Sequence, residues 1–349
     1  MSAERWVGRP VPRREDVRFL RGEATFLDDI ELPGLLEAAF VRSPYAHARL
    51  GAIDVEAARA VPGVATVLTG ADLGERARPL PVGAVDGGVV EDAGHPVLAR
   101  DRARYAGEAV ALVVAESRAV AEDAAELVEV DYEPLEPVLD ARTAGGAPLL
   151  HDGVSGNRLV GWERTHGDVE GAFAGADRVV SQSFHIPRLV AAPIEPRGAI
   201  ASHEPDGDVL TVWCSAQDPH RPLAQLGISL GREPDRLRVV VPDVGGAFGS
   251  KGVVAPEVAA IACAAEELAR PVRWTEDRAE NFLAAYQGRG LDADVELAVA
   301  SDGRILGLRA TLYADLGAYL YATTAVAPHT TAMLITGAYD IPAARVEVV

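Results

Sequence analysis

The sequence predicts a mixed α/β and α+β protein built from two domains. Three observations carry that expectation. A fully apolar run of strand length at 109–114 is followed by a serine-capped helix pattern and an extended exit, the order of an α/β unit. From residue 178 onward, strand-length runs crowd together with two long helical patterns among them. Between them, residues 139–160 are rich in glycine and alanine, including Gly145-Gly146, Gly153 and Gly156, which marks a linker. The expected division is an N-terminal arm at 1–17, a first domain at 18–138, the linker at 139–160 and a second domain at 161–349.

The arm is polar, proline-bearing and arginine-rich within an acidic chain. It reads either as a solvated lead-in or as a strap lying on another subunit. In the first domain, a strand at 35–41 begins after Pro33-Gly34, and 48–53 forms another. Asp54 is placed to N-cap a short helix through Ala60, which Pro62-Gly63 ends. Residues 65–68 resume extended structure. Residues 75–100 carry Pro79, Pro81, Gly83, Gly87, Gly88, Gly94 and Pro96, and read as a long surface excursion. Ser117 caps a helix over 118–128, with Ala119, Val120, Ala124, Leu127 and Val128 on its inner face. Residues 130–135 leave as an edge strand, where Pro134 is tolerated.

In the second domain, strands are expected at 178–184, 198–202, 209–214 and 236–241. Helices are expected at 219–230 and 255–269; Pro256 suits the first turn of the latter, and Pro271 stops it. Ser301-Asp302-Gly303 is an Asp-Gly turn joining 291–299 to 305–314 as a hairpin, and 344–349 form a last strand.

Composition narrows the function. With 349 residues, 48% of them hydrophobic, the chain buries a large core and is not disordered. A net charge of −19 argues against nucleic acid and anionic membrane surfaces as partners. No apolar run reaches membrane-spanning length, and the N-terminus has no apolar signal core. Cys214 and Cys263 each lie in an apolar run, outside any CxxC pair. They read as buried thiols in a reducing cytoplasm, too few for an iron–sulfur cluster. The histidines show no HxH or HExxH spacing, so metal ligation by side chains is not expected. Walker A and complete GxGxxG sequences are absent.

Two places look chemical. Residues 244–251, VGGAFGSK, lie between a strand and a helix, where successive backbone N–H groups meet oxo or phosphate oxygens without a charged side chain. Phe248 reads as a pocket wall or as a core aromatic. Lys251 reads as a phosphate partner or, more commonly, as a solvated lysine. Gln217 occupies another strand-to-helix junction, with Gln217 or Asp218 near the N-cap. Its carboxamide can donate to a ligand while its carbonyl stays satisfied. Glu195 and Arg197, set between prolines, read as an internal salt-bridged corner.

Seven segments in order carry a family likeness: GRPVPRREDVRFLRGEATFLDDI (8–30), YAGEAVALVVAES (105–117), VDYEPLEPV (130–138), APIEPRG (192–198), CSAQDPH (214–220), VPDVGGAFGSK (241–251) and RPVRWTEDRAENF (270–282). The chain resembles the molybdenum-binding large subunits of the xanthine dehydrogenase, aldehyde oxidase and carbon monoxide dehydrogenase family, over essentially all its length. The resemblance implies an α/β hammerhead domain followed by the first molybdopterin-binding domain. It implies that Gln217 hydrogen-bonds an oxygen of the cofactor. It implies that Gly246, Ala247, Phe248 and Gly249 bring backbone N–H groups to it. The metal would be held by its molybdopterin, in the cytosine dinucleotide form, and not by side chains.

The family's large subunits are about twice this long. The resemblance therefore places the general-base glutamate in a missing C-terminal half, with no catalytic residue in this chain. Flavin (FAD) belongs to a medium subunit and 2Fe-2S clusters to a small subunit. The implied reaction is a two-electron oxidation of a small-molecule substrate with oxygen derived from water. Purine-oxidising members carry a glutamate after the lysine where this chain has Gly252, which points away from purines. The segment at 274–281 resembles carbon monoxide dehydrogenases and aldehyde-oxidising relatives instead. Two other readings stay open: a non-catalytic assembly module that docks redox partners, and a nicotinamide-dependent dehydrogenase resting on the Gly245 turn alone.

Overall fold

In the computed structural model, residues 6–83 and 93–349 are described. The first five residues of the predicted arm and the Gly87-Gly88 pair lie outside the described residues. The first region contains α1 (Asp16–Leu20), β1 (Leu36–Arg42), β2 (Ala48–Asp54), α2 (Glu56–Arg59), β3 (Val64–Thr69), α3 (Gly70–Leu73), β4 (Arg102–Ala103), β5 (Ala109–Ala115), α4 (Arg118–Ala125) and β6 (Glu129–Pro134). The second contains β7 (Trp162–His166), α5 (Val169–Ala174), β8 (Arg178–Val190), β9 (Gly198–Glu204), β10 (Val209–Cys214), α6 (His220–Leu230), β11 (Leu237–Val240) and α7 (Pro256–Leu268). It continues with β12 (Val272–Thr275), α8 (Arg278–Ala284), β13 (Gln287–Val299), β14 (Ile305–Ala314), α9 (Val326–Met333) and β15 (Ala344–Val348). Among the described residues, no helix is long and apolar enough to cross a membrane.

The continuous apolar run makes β5 a strand buried at all seven positions. Ser117 starts α4 as expected, its side chain accepting the Val120 N–H. The helix ends at Ala125, and the side that packs across β1 and β5 carries Ala121 and Ala124, with Val128 buried just beyond. Ala119 and Leu127 face solvent, so the predicted inner face is rotated. Asp54 acts one residue further out than expected. Its carboxylate accepts the Glu56 N–H while Val55 holds the cap position. Of the stretch 75–100, the described residues 75–83 and 93–100 are not a surface excursion, and the rest lies outside the described residues. Leu80 donates its N–H to the His95 carbonyl, and Leu80, Val97 and Leu98 enter the main core. Turn residues set local shape, but three large apolar side chains decide burial.

The described strands form three sheets. A seven-stranded sheet runs β11-β10-β9-β12-β1-β5-β3, a five-stranded sheet β7-β15-β14-β13-β8, and a three-stranded sheet β4-β2-β6. The largest sheet is shared. β12 of the second region pairs in parallel with β1 of the first, with Leu36 opposite Val272. Across this sheet lies α7, fully buried from Pro256 to Ala265. Its run of alanines, with Cys263, lets the helix sit close on β9 and β12. Pro256 occupies its start, and Ala269 in left-handed geometry (φ 48°) with Pro271 beyond ends it. The residues between the two regions are packed: His151 bonds the Ala318 carbonyl, and Val154 and Val160 join a small core with Leu320 and Ala325.

Buried charge crosses the same seam. Arg42 on β1 donates to Glu257 on α7 and to Glu280 on α8, both at 2.9 Å. Arg197 lies against Glu276, with its backbone N–H and its guanidinium both donating to that carboxylate. Asn281 completes the shell of Glu276 at 2.7 Å. Burial alone pushes the Glu257 carboxyl up, but Arg197 and Arg42 outweigh it and hold the carboxyl below its ordinary value. Burial likewise opposes the Arg197 charge, and Glu257 and Glu276 overcome it, so the guanidinium value rises. Arg197→Met should lower stability by about 3–5 kcal/mol, because it removes the charged partner of buried Glu276 and leaves Glu257 to Arg42 alone. Urea denaturation checks this, and a loss below about 1 kcal/mol would show that the carboxylates regain water.

Candidate functional site

Two loops that are distant in sequence meet at Gln217. The residue follows β10 and precedes α6. Its N–H donates to the Lys251 carbonyl (3.0 Å), and its Oε1 accepts the Gly249 N–H (2.9 Å). Asp218 caps α6, its Oδ1 accepting the His220 and Arg221 N–H groups at 2.9 Å each. The Gln217 side chain is thereby released from capping. Its carbonyl oxygen is satisfied, and its amide N–H groups have no partner among the described residues.

The glycine loop runs between β11 and α7. Gly246 and Gly249 both have φ 99°, a region open to glycine alone without strain. A Cβ at Gly246 would lie 3.1 Å from the Phe248 ring and 3.2 Å from Pro193. Phe248 has φ 53°, uncommon for a bulky residue and costing on the order of 1–2 kcal/mol. It is 80% exposed, which excludes the core-aromatic reading. Ser250 closes the turn by donating its N–H (3.0 Å) and its hydroxyl (2.8 Å) to the Ala247 carbonyl. The Gly249 N–H is already committed to Gln217, so the N–H groups of Gly246, Ala247 and Phe248 are the ones with no partner among the described residues.

Beneath the loop, the sequence reading misassigned two charges. Lys251 is neither solvated nor turned to a ligand. Its side chain is fully buried and donates to Glu195 Oε2 at 2.7 Å. Burial lowers the Lys251 ammonium value, and Glu195 offsets part of that. Glu195 and Arg197 do not form a corner with each other. They part to either side, to Lys251 and to Glu276, because both cations are desolvated and each needs its own anion. The rigid Pro193–Pro196 flank was the signal that Glu195 is held; nothing near it in sequence names its partner.

Neutral N–H donors in an accessible loop suit the oxygen atoms of a bound group. Among the described residues, no cluster of three or more His, Cys, Asp or Glu is suited to hold a metal. Cys214 and Cys263 are buried free thiols pushed up to about 12 by burial, as expected for structural residues.

A second polar cluster escaped the sequence reading. Glu108 is 1% exposed beside β5 and accepts the Tyr319 hydroxyl and the Arg104 N–H, both at 2.6 Å. Burial pushes its carboxyl up to about 7, and the hydrogen bonds from Tyr319 and Arg104 offset only part of this. His95 stacks on Tyr319 at 4.5 Å and is lowered by burial to about 4, hence neutral. A charge abutting a seven-residue apolar run was the available signal. The cluster borders a 660 Å³ cavity lined by Arg104, Leu139, His151, Arg158 and Arg188, and a 150 Å³ one lined by Tyr105, Tyr286 and Tyr321.

An exposed glycine loop clasped by a carboxamide thus follows neighbouring strands of a shared mixed sheet in an α/β protein. Residues 150–349 match the molybdopterin cofactor-binding domain, and residues 21–136 match the aldehyde oxidase and xanthine dehydrogenase a/b hammerhead domain. The chain belongs to this molybdopterin cofactor-binding family. It is 42% identical to the nicotine 6-hydroxylase large subunit of Paenarthrobacter nicotinovorans, over 97% of this chain and 42% of that protein. It is 35% identical to the carbon monoxide dehydrogenase large chain of Hydrogenophaga pseudoflava, over 96% of this chain and 43% of that protein. The crystal structure of quinoline 2-oxidoreductase from Pseudomonas putida 86 superposes with a TM-score of 0.92 at 38% identity, over 97% of this chain and 43% of that chain. The chain thus spans less than half the length of each of these three relatives.

Glu108 supplies a pH test. Its folded value lies above the ordinary 4.5, so its favourable contribution is complete below that value and drains away as pH climbs toward 7. Glu108→Gln should remove roughly 2–3 kcal/mol of the wild-type fall in stability between pH 5 and pH 8. Urea midpoints at the two pH values decide, and parallel behaviour of the two proteins counts against the assignment.

Proposed function

We propose that this chain forms one wall of the molybdenum–pterin site of a larger hydroxylase, which oxidises a ring carbon of an N-heteroaromatic compound by two electrons. The observation that carries the reading is the Gln217 Oε1 to Gly249 N–H bond of 2.9 Å. It fixes the carboxamide against the glycine loop and leaves its N–H groups free for an oxygen of the cofactor. The backbone N–H groups of Gly246, Ala247 and Phe248 add neutral donors, which orient without attracting unwanted anions. The exposed Phe248 ring offers a flat apolar surface that excludes water and suits a planar substrate. When bound, the molybdenum–pterin group supplies the redox couple that takes up the two electrons.

The substrate class rests on the relatives. Identity is 42% to the nicotine hydroxylase subunit and 38% to the quinoline oxidoreductase, against 35% and 37% for two carbon monoxide dehydrogenase large chains. Gly252, in place of a glutamate, supports a substrate other than a purine. The remainder of the large subunit would supply the general-base glutamate, and separate FAD and 2Fe-2S subunits would carry electrons away. Two buried thiols cannot ligate a cluster here. The cytosine dinucleotide form of the pterin and a cytoplasmic setting belong to the same proposal.

Gln217→Ala in the assembled enzyme should lower kcat about 100-fold, the cost of losing one aimed donor. The reading fails if turnover stays near wild type at full molybdenum occupancy. The chain expressed alone should retain little molybdenum by elemental analysis. Stoichiometric metal in that preparation would show that the remaining length is not needed for binding.

A further inference from the structure

We infer that Glu195 is a positioning residue that sets the spacing between Gln217 and the loop amides through a single carboxylate oxygen; the inference rests on the cofactor-site reading above. Glu195 Oε2 accepts three donors: the Ser215 hydroxyl at 2.7 Å, the Gly245 N–H at 2.8 Å and the Lys251 ammonium at 2.7 Å. Ser215 lies two residues before Gln217. Gly245 opens the glycine loop, and Lys251 closes it. One atom therefore ties down the stem of the carboxamide and both ends of the donor row.

The grip on Gly245 is double. The Glu195 N–H donates back to the Gly245 carbonyl at 3.2 Å, so both sides of that residue are held. The approach is as close as glycine permits, since a Cβ at position 245 would lie 2.6 Å from the Glu195 Cβ. Glu195 is fixed in turn. Prolines flank its loop, and Arg278 at the start of α8 donates to the Pro193 and Ile194 carbonyls. Three donors on one oxygen suit a charged acceptor, and the buried Lys251 supplies the matching charge. The Lys251 carbonyl also accepts the Gln217 N–H, so a shift of the lysine backbone moves the carboxamide directly.

Hydrogen exchange of the peptide spanning 244–251, read beside molybdenum content, tests this. Glu195→Ala should speed exchange of that peptide at least tenfold while α7, residues 256–268, keeps its wild-type protection. Molybdenum in the assembled enzyme should fall at least fivefold. The double variant Glu195→Gln with Lys251→Met leaves an amide oxygen for Ser215 and Gly245 and no stranded cation. It should bring both readouts back to within threefold of wild type. Unchanged loop exchange in Glu195→Ala overturns the inference, as does a double variant no better than the single one. Should Glu195→Ala fail to fold, Ser215→Ala removes one donor and keeps the charge pair. A two- to threefold rise in loop exchange is then expected, and none overturns the inference. A loosened loop with full molybdenum content upholds the role of Glu195 and sinks the cofactor reading instead.

Discussion

A charge taken out of water must be met by an opposite charge, and in this chain the partners come from distant segments. Arg42, Arg197 and Lys251 are all withdrawn from solvent, and their carboxylates arrive from α7, from α8, from the turn after β12 and from the Pro193–Pro196 loop. Such pairs add little net stability over apolar packing, but their geometry is strict, because a mispaired buried charge costs several kcal/mol. They act as registration points. They set β1 against α7 and α8, and β9 against the turn after β12, where hydrophobic contact alone tolerates sliding.

The site inherits that registration. Gln217 and the glycine loop lie on separate connections, 32 residues apart, and neither belongs to a regular element. Their relative placement is set by strands β10 and β11, paired in parallel, and by the polar contacts below the loop. The strained Phe248 backbone fits this picture. A bulky residue at positive φ is held only where its neighbours leave no alternative. Ser250 bonding Ala247 from two atoms, and Gly249 bonding Gln217, are those neighbours. The result is a rim of neutral donors held in place by the chain's own hydrogen bonds.

Periodicity made much of the architecture legible. The all-apolar β5, the proline-started α7 and the Asp-Gly hairpin of β13 and β14 each follow from local rules. Gln217 and the glycine loop were visible for the same reason, as unusual residues at strand-to-helix junctions. What failed was partnership across the chain. Lys251 sits 56 residues from Glu195, and no local pattern says that a lysine after a glycine turn is buried. Two opposite charges at 195 and 197 looked like a pair because they are neighbours. Each instead serves a cation or anion supplied by a later segment. The described parts of the stretch at 75–100 failed likewise. Proline and glycine describe the path of a backbone, and Leu80, Val97 and Leu98 decide where that path lies.

The shared sheet has a consequence for biosynthesis. β1 pairs with β12, whose residues leave the ribosome 236 positions later. At 5–20 residues per second, one side of β1 waits roughly 10–50 s for its neighbour. An open strand edge of that lifetime invites pairing with other nascent chains. β1 carries Glu37 and Arg42, which later pair with Arg273 on β12 and with Glu257 and Glu280. Before those partners are translated, a foreign strand that covered either charge would have to bury it unpaired, a cost that disfavours such pairing, so residues that end as internal fastenings also suit a guarding role at an open edge.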